Sequence, residues 1–464
     1  VDMGLINIAS ELTTPEAICW YDDSISAVIP ENSNIWFSGF TFTDEISSEN
    51  AIYINVYGQD WPDNNYPQRP GETHYDNDCD QTTFYIAAFG ERLTTLVGDY
   101  SGSDSPGKFN TILVDAGGGL TNGIKQHTVA LTKSHFVSDY ADYGELQTSI
   151  GSRGDSGPYG SKVQLNRHVI FPDRKYFVLI DQMRSIDGLN HTYEWLLHGL
   201  DNVSNNGTTE ATITKGSGVR LKAYYITPDL SLSSGSLAGG TGYIKVTAAS
   251  TKDEDFLTIL YPLDVGQAEP TVTNLNGAGY YAAKIENSDG KIVVMTQQGN
   301  TSRIVENITT DSEIVLAKEK TGVVLDYFQI NNGKSFSFNS TQYINSSELI
   351  NLTFKKEFTE CTFQIESADS SISTTLTIGG LLHDTTYKIT DYEITGRNAF
   401  KTLNKQFVFV TNSSGEYTYT QDVSKHEIVV EAETAGAIGT ISGTVRDIET
   451  TDPITEALVE AKQG

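Results

Sequence analysis

Apolar and polar positions alternate along most of this chain. Ala51-Ile-Tyr-Ile-Asn-Val-Tyr57, Lys291-Ile-Val-Val-Met-Thr296 and Lys405-Gln-Phe-Val-Phe-Val-Thr411 all read as half-buried strands, because a period of two sends successive side chains to opposite faces. Further strand-sized runs fall at 83–89, 92–97 and 110–115, and then in Val169-Ile-Phe171, Tyr176-Phe-Val-Leu-Ile-Asp181, Thr192-Tyr-Glu-Trp-Leu-Leu-His198 and Phe256-Leu-Thr-Ile-Leu-Tyr261. A helical spacing of apolar residues holds for three turns nowhere except over the last dozen residues. With 41 Gly and 24 Tyr among abundant Thr, Ser and Asn, the pattern predicts an all-β chain of short strands and many turns.

A chain of 464 residues suggests two to four domains at about 150 residues each. Large sandwiches run longer, so residues 1–355 are expected to form one large two-sheet antiparallel β-sandwich. A second pattern begins near residue 356. Gly380, Leu381, Thr385, Thr386 and Tyr387 match the turn-and-tyrosine corner of fibronectin type III domains, and 356–432 resembles a small Ig/fibronectin III-like sandwich. The remaining 433–464, with Gly439-Thr-Ile-Ser-Gly-Thr-Val-Arg446 at its heart, resembles the first strands of a carboxypeptidase-regulatory-like domain. Two strands leave edges unpaired, so this tail is expected either to have lost the rest of its domain or to complete its sheet elsewhere, for instance on a neighbouring copy.

The formal charge is −29, from 60 acidic and 31 basic residues. Nucleic acid and anionic membranes, which are bound through clustered Lys and Arg, are excluded as partners. No apolar run is long enough to span a bilayer. The acidic surface suits a secreted, extracellular or cell-surface setting, and nine Asn-x-Ser/Thr sites agree weakly with it. Cys19, Cys79 and Cys361 permit at most one internal disulfide, with Cys19–Cys79 the plausible pair. The chain starts at Val1 and is expected to be a processed product or part of something longer.

Chemistry is concentrated in one place. His74-Tyr-Asp-Asn-Asp-Cys-Asp80 crowds four ionisable groups just before the apolar run from Phe84, and it closes a long polar loop that begins at Trp61. Asp76, Asp78 and Asp80 would alternate faces on a strand but converge on a cation in a loop. Joined by Asp99, they form a candidate site for a hard divalent cation such as calcium; a solvated Asp/Asn loop is the plainer reading. His74 is a candidate base beside it, although a lone loop histidine is more often simply solvated. Trp61, Tyr66 and Tyr75 are candidate sugar-stacking platforms. His191 and His198, seven apart in an apolar run, are expected on opposite faces, with one hydrogen-bonded in the core.

The order of several short motifs resembles the C-terminal β-domain of heparinase II/III-like polysaccharide lyases. Asp76-Asn-Asp-Cys-Asp-Gln-Thr-Thr-Phe84, Asp99-Tyr-Ser-Gly102, Phe109-Asn-Thr-Ile-Leu-Val-Asp115, Arg167-His-Val-Ile-Phe171 and His191-Thr-Tyr-Glu-Trp-Leu-Leu-His198 follow in that family's sequence. The resemblance implies a zinc site at Asp78, Asp99 and Phe109. Phenylalanine cannot ligate, and zinc prefers imidazole and thiolate, so calcium is expected over zinc. It also implies Tyr100 as the catalytic acid/base of a β-elimination on uronate polysaccharides. The family draws most of its base and carboxylate-neutralising groups from a helical toroid, so polysaccharide lyase activity is expected only with such a partner chain. Two other readings stay open: a non-catalytic surface protein assembling through its β-domains, and a carbohydrate-binding module for acidic or neutral polysaccharide.

Overall fold

The computed structural model describes residues 33–36, 39–45, 48–58, 82–95, 106–116, 130–152, 160–237, 241–321, 323–395 and 400–433. They form strands almost throughout, with one short 3-10 turn at Pro106–Lys108, as the alternation predicts. Every ladder is antiparallel, with neighbours often joined by tight hairpins, for which sequence-adjacent strands suffice.

Three sheets enclose the first core. A five-stranded meander runs in chain order from Ser33–Trp36 to Glu91–Arg92. A four-stranded sheet is ordered Ser231–Ser236, Gly242–Thr247, Tyr193–Gly199, Ile112–Val114. An eight-stranded sheet has Asp253–Leu263, Phe177–Ser185, Gly160–Pro172 and Ala141–Ser152 at its centre. Phe40, Ile54 and Phe84 from the first, Trp195 and Ile244 from the second, and Leu165, Leu179 and Phe256 from the third share one apolar cluster.

The eight-stranded sheet is buried on both faces. Val163, Leu165, Val169 and Phe171 point into that first core, whereas Ile170, Val178, Ile180 and Leu257 point the other way, against Ile285, Val294 and Leu316. Two-sided burial explains why its central strands read as continuous apolar runs rather than strict alternation.

Thr271 to Ala432 belong to one further large sheet with side branches. The strand Thr341–Glu357 passes through residue 355 without a break, and one apolar cluster reaches from Ala282 to Val430. Near the corner at 380–387, Gly380 adopts φ 68°, and the Tyr387 hydroxyl accepts a hydrogen bond from the Leu382 amide at 3.0 Å. Polar contacts lock this unit to the first. Ser134 donates to Glu366 and accepts from Asn351 at 3.1 Å. Lys425 donates to the His135 carbonyl and lies 3.8 Å from Glu366. Burial pushes the Glu366 carboxyl up and the Lys425 ammonium down, with each partner's charge opposing the shift.

One expected strand is much shorter than its run. Among the described residues, the segment predicted at 92–97 forms strand only over Glu91–Arg92. Phe89 and Gly90 both take positive φ, 56° and 75°, closing a tight hairpin. Thr94 Oγ1 then accepts the Ile86 amide at 2.8 Å, a side-chain bond that takes the place of a ladder bond and lets the chain leave the sheet.

Candidate functional site

Tyr100, His74, Asp76, Asp78, Asp80, Asp99, Trp61, Tyr66 and Tyr75 all fall in the segments 59–81 and 96–105, outside the described residues; so do Cys19, Cys79 and the tail beyond 433. The described residues that flank those two segments meet in one buried floor. It is built from the very motifs that carried the family resemblance.

Arg167 is the centre of this floor. Alternation along Gly160–Pro172 points it into the first core, between Leu165 and Val169, and the ladder sets Asp181 directly opposite. A buried charge persists only when paired and hydrogen-bonded. Here the guanidinium meets the carboxylate through Nε–Oδ1 at 2.6 Å and Nη2–Oδ2 at 2.9 Å, with both side chains fully buried. Trp195 Nε1 donates to the same carboxylate at 2.7 Å. The guanidinium also lies over the Phe84 ring, 5.2 Å from its centroid. Its remaining Nη1 donates to two carbonyls, of Thr82 and, at 3.0 Å, of Asn110.

Asn110 extends the knot. Its Nδ2 donates to the carbonyls of Phe84 and Thr95 at 2.8 and 3.3 Å. Its Oδ1 accepts the His198 amide at 2.7 Å, and its own amide donates to Thr83 Oγ1 at 3.1 Å. His198 Nε2 bonds the Gly107 carbonyl at 3.0 Å, so the ring donates there in its neutral form. Burial holds its pKa down to about 4, against a smaller upward pull from that carbonyl.

The four chain positions flanking the two segments are thereby tied together. Tyr57 and Thr82–Thr83 bond each other through Thr82 N to Tyr57 O at 2.7 Å and Tyr57 N to Thr83 O at 2.9 Å. Thr95 donates to the His198 carbonyl at 3.1 Å, and Gly107 is held by the His198 ring. Thr82 sits at φ 66°, an uncommon conformation for a β-branched residue, and its carbonyl is the one Arg167 claims. Strain of this kind survives where surrounding contacts over-determine it.

A second cluster holds His191. Its Nδ1 meets Asp115 Oδ2 at 2.7 Å and its Nε2 meets Asp187 Oδ1 at 3.0 Å, while the Thr192 amide occupies the other Asp115 oxygen at 2.9 Å. Burial lowers the imidazole pKa, but the bonds and charges of both carboxylates outweigh it and leave it raised. With both ring nitrogens taken, His191 is neither a free base nor a metal ligand. His191 and His198 are each fixed by their own partners. Phe109, which stands where the family resemblance implied a zinc ligand, is buried and apolar. Among the described residues no cluster of three or more His, Cys, Asp or Glu could hold a metal.

A surface cleft of about 650 Å³ lies beside the Asp173-Arg174-Lys175 turn, with Asp44, Tyr261 and Asp289 on its walls. Its cations are engaged within the protein: Lys175 pairs Asp289 at 2.5 Å, and Arg174 donates to the Ser138 carbonyl at 2.8 Å.

Asp181, Asn110, Thr82, Thr95 and Trp195 carry this floor without having been singled out as site residues. For Asp181 and Asn110 the signal is a charge or amide lodged inside an apolar strand run, which requires a partner on a neighbouring strand.

No family model and no curated protein matches the chain. Solved structures do. A heparinase III aligns at 14% identity and TM-score 0.45 over 59% of this chain and 43% of its own. The heparan sulfate lyase HepC of Pedobacter heparinus aligns at 17% identity and TM-score 0.41 over 55% and 40%. A chondroitin AC lyase of Streptomyces coelicolor aligns at 10% identity and TM-score 0.36 over 88% and 51%. The chain matches about half or less of the length of each of these enzymes.

Proposed function

We propose that this chain is an extracellular polysaccharide-binding protein on a lyase-type β-scaffold, presenting segments 59–81 and 96–105 to the saccharide. The observation that supports it is the shared anchoring of both segments: Tyr57, Thr82, Thr95 and Gly107 are joined through Arg167, Asn110 and His198. Loops that carry function are commonly held on a rigid scaffold in this manner. The buried groups serve as positioning residues. Arg167 is fully enclosed and neutralised by Asp181, so the neutralisation of a substrate carboxylate falls to other groups.

Trp61, Tyr66 and Tyr75 would supply stacking faces, since a flat apolar ring covers the C–H face of a sugar. Asp76, Asp78, Asp80 and Asp99 offer hard oxygen donors that fit calcium, which would bridge this acidic protein to a uronate. For β-elimination, a base must take the C5 proton while the uronate charge is offset; Tyr100 and His74 are the groups of this chain assigned to proton transfer.

The test is incubation with a panel of uronate and neutral polysaccharides, with calcium or with a chelator. Retention on uronate polymers that is lost on chelation supports the binding reading. Appearance of the unsaturated uronate's ultraviolet absorbance, abolished by Tyr100→Phe, adds the lyase step. Retention on no polysaccharide overturns the proposal.

A further inference from the structure

The large sheet ends, among the described residues, at Phe400–Val410, which is paired on one side only, to Thr386–Thr395. Leu403, Val408 and Val410 stand opposite Tyr392, Lys388 and Thr386. Those partners are an even number of residues apart on one strand, so the three apolar side chains share a face. They are 57%, 53% and 59% exposed. On the other face Phe409 stacks on Tyr417, and Phe407 lies edge-on to Tyr419. Proteins commonly blunt such an edge with outward lysines. Here Lys401 is drawn to Glu427 at 2.6 Å and Lys405 towards Asp391 at 3.7 Å.

The chain that follows Ala432 is long enough to reach this edge. The strand His426–Ala432 ends level with the open strand, since Ala432 and Phe409 both register with Tyr387. A strand on the outer edge of Phe400–Val410 would lie three strand spacings from that end, about 14 Å. Residues 434–438 can span about 17 Å when extended, enough to cross and turn back. The next stretch, Thr440-Ile-Ser-Gly-Thr-Val-Arg-Asp-Ile448, sets Ile441 and Val445 on one face and Ser442, Thr444 and Arg446 on the other. Its acidic Asp447 would arrive near Lys401.

We propose that Thr440–Ile448 of the same chain adds as an antiparallel strand to the outer edge of Phe400–Val410, with Ile441 and Val445 covering Val408 and Leu403. The segment that reads as the start of a further domain then completes the sheet that precedes it. This goes beyond the saccharide reading and does not depend on it.

Hydrogen exchange read by mass spectrometry on the full chain tests it, comparing the parent with Val445→Pro, whose proline removes a ladder donor. Amides of 400–410 should be protected in the parent and exchange about ten-fold or more faster in the variant, with 386–395 unchanged. Retained shielding of the buried Cys361 thiol shows that the variant is folded. Equal, fast exchange of 400–410 in both proteins overturns the proposal. Protection that is lost on dilution, with a dimer in light scattering, also overturns it, assigning the edge to a second copy. As an independent check, oxidation of the Val408→Cys/Ile441→Cys double variant should give an internally bridged monomer. Bridged dimers, or no bridge at all, contradict it.

Discussion

Arg167 and Asp181 occupy the same register on adjacent strands and form a forked, fully buried ion pair. Such a pair is weak evidence for net stability, but removing one partner strands the other's charge. Asp181→Asn should lower the unfolding free energy by about 3–5 kcal/mol, read from denaturant titration. A loss under about 1 kcal/mol would mean that the pair is open to water.

Asn110 ties together described residues that flank both segments. Asn110→Ala would leave the carbonyls of Phe84 and Thr95 and the amide of His198 without their side-chain partner, at about 1–3 kcal/mol for each buried group left unmade. Proteolysis should then open preferentially within 59–81 and 96–105, ahead of global unfolding. Cleavage spread evenly over the chain would contradict the anchoring role.

His198 gives the floor a pH signature. Its folded pKa, near 4, lies below the ordinary value of about 6.5, so between these values the unfolded chain binds more protons. Stability from this group is full above 6.5 and falls as pH drops towards 4, by up to about 1.4 kcal/mol per pH unit. His135, held down to about 3 by burial and by Lys425, acts in the same direction, whereas the raised Glu366 acts in the opposite one. The comparison with His198→Gln isolates the single group. The stability–pH curve of that variant should be flatter over 4–6.5; parallel curves would contradict the assignment.

Cys361 lies fully inside the second core, and burial pushes its thiol up to about 12. The thiolate is the reactive form, so peptide-mapped alkylation at pH 8 should leave Cys361 unmodified until denaturant is added. Rapid labelling of the native protein would show that the second core is open.

Strand existence was legible because one-sided burial writes a period of two, as in Tyr53–Tyr57, whose inward positions are buried and outward ones half-buried. The order of strands was not. Asp253–Leu263 sits between Arg220–Tyr225 and Phe177–Ser185, a non-local pairing that no local pattern specifies. The role of Arg167 was hidden for the same reason. The sequence shows a charge within an apolar run, but the partner 14 residues on is fixed only by register. Two conspicuous residues of the motif series, Arg167 and His198, are buried and bond the described residues Thr82 and Gly107 that flank the segments 59–81 and 96–105.

Calorimetric titration of a defined uronate oligosaccharide into the full chain, in calcium, tests the central claim most directly. Saturable binding is expected, weakened about ten-fold by Trp61→Ala and abolished by a chelator. An absence of binding to every uronate oligosaccharide, with the protein folded and calcium present, would contradict it.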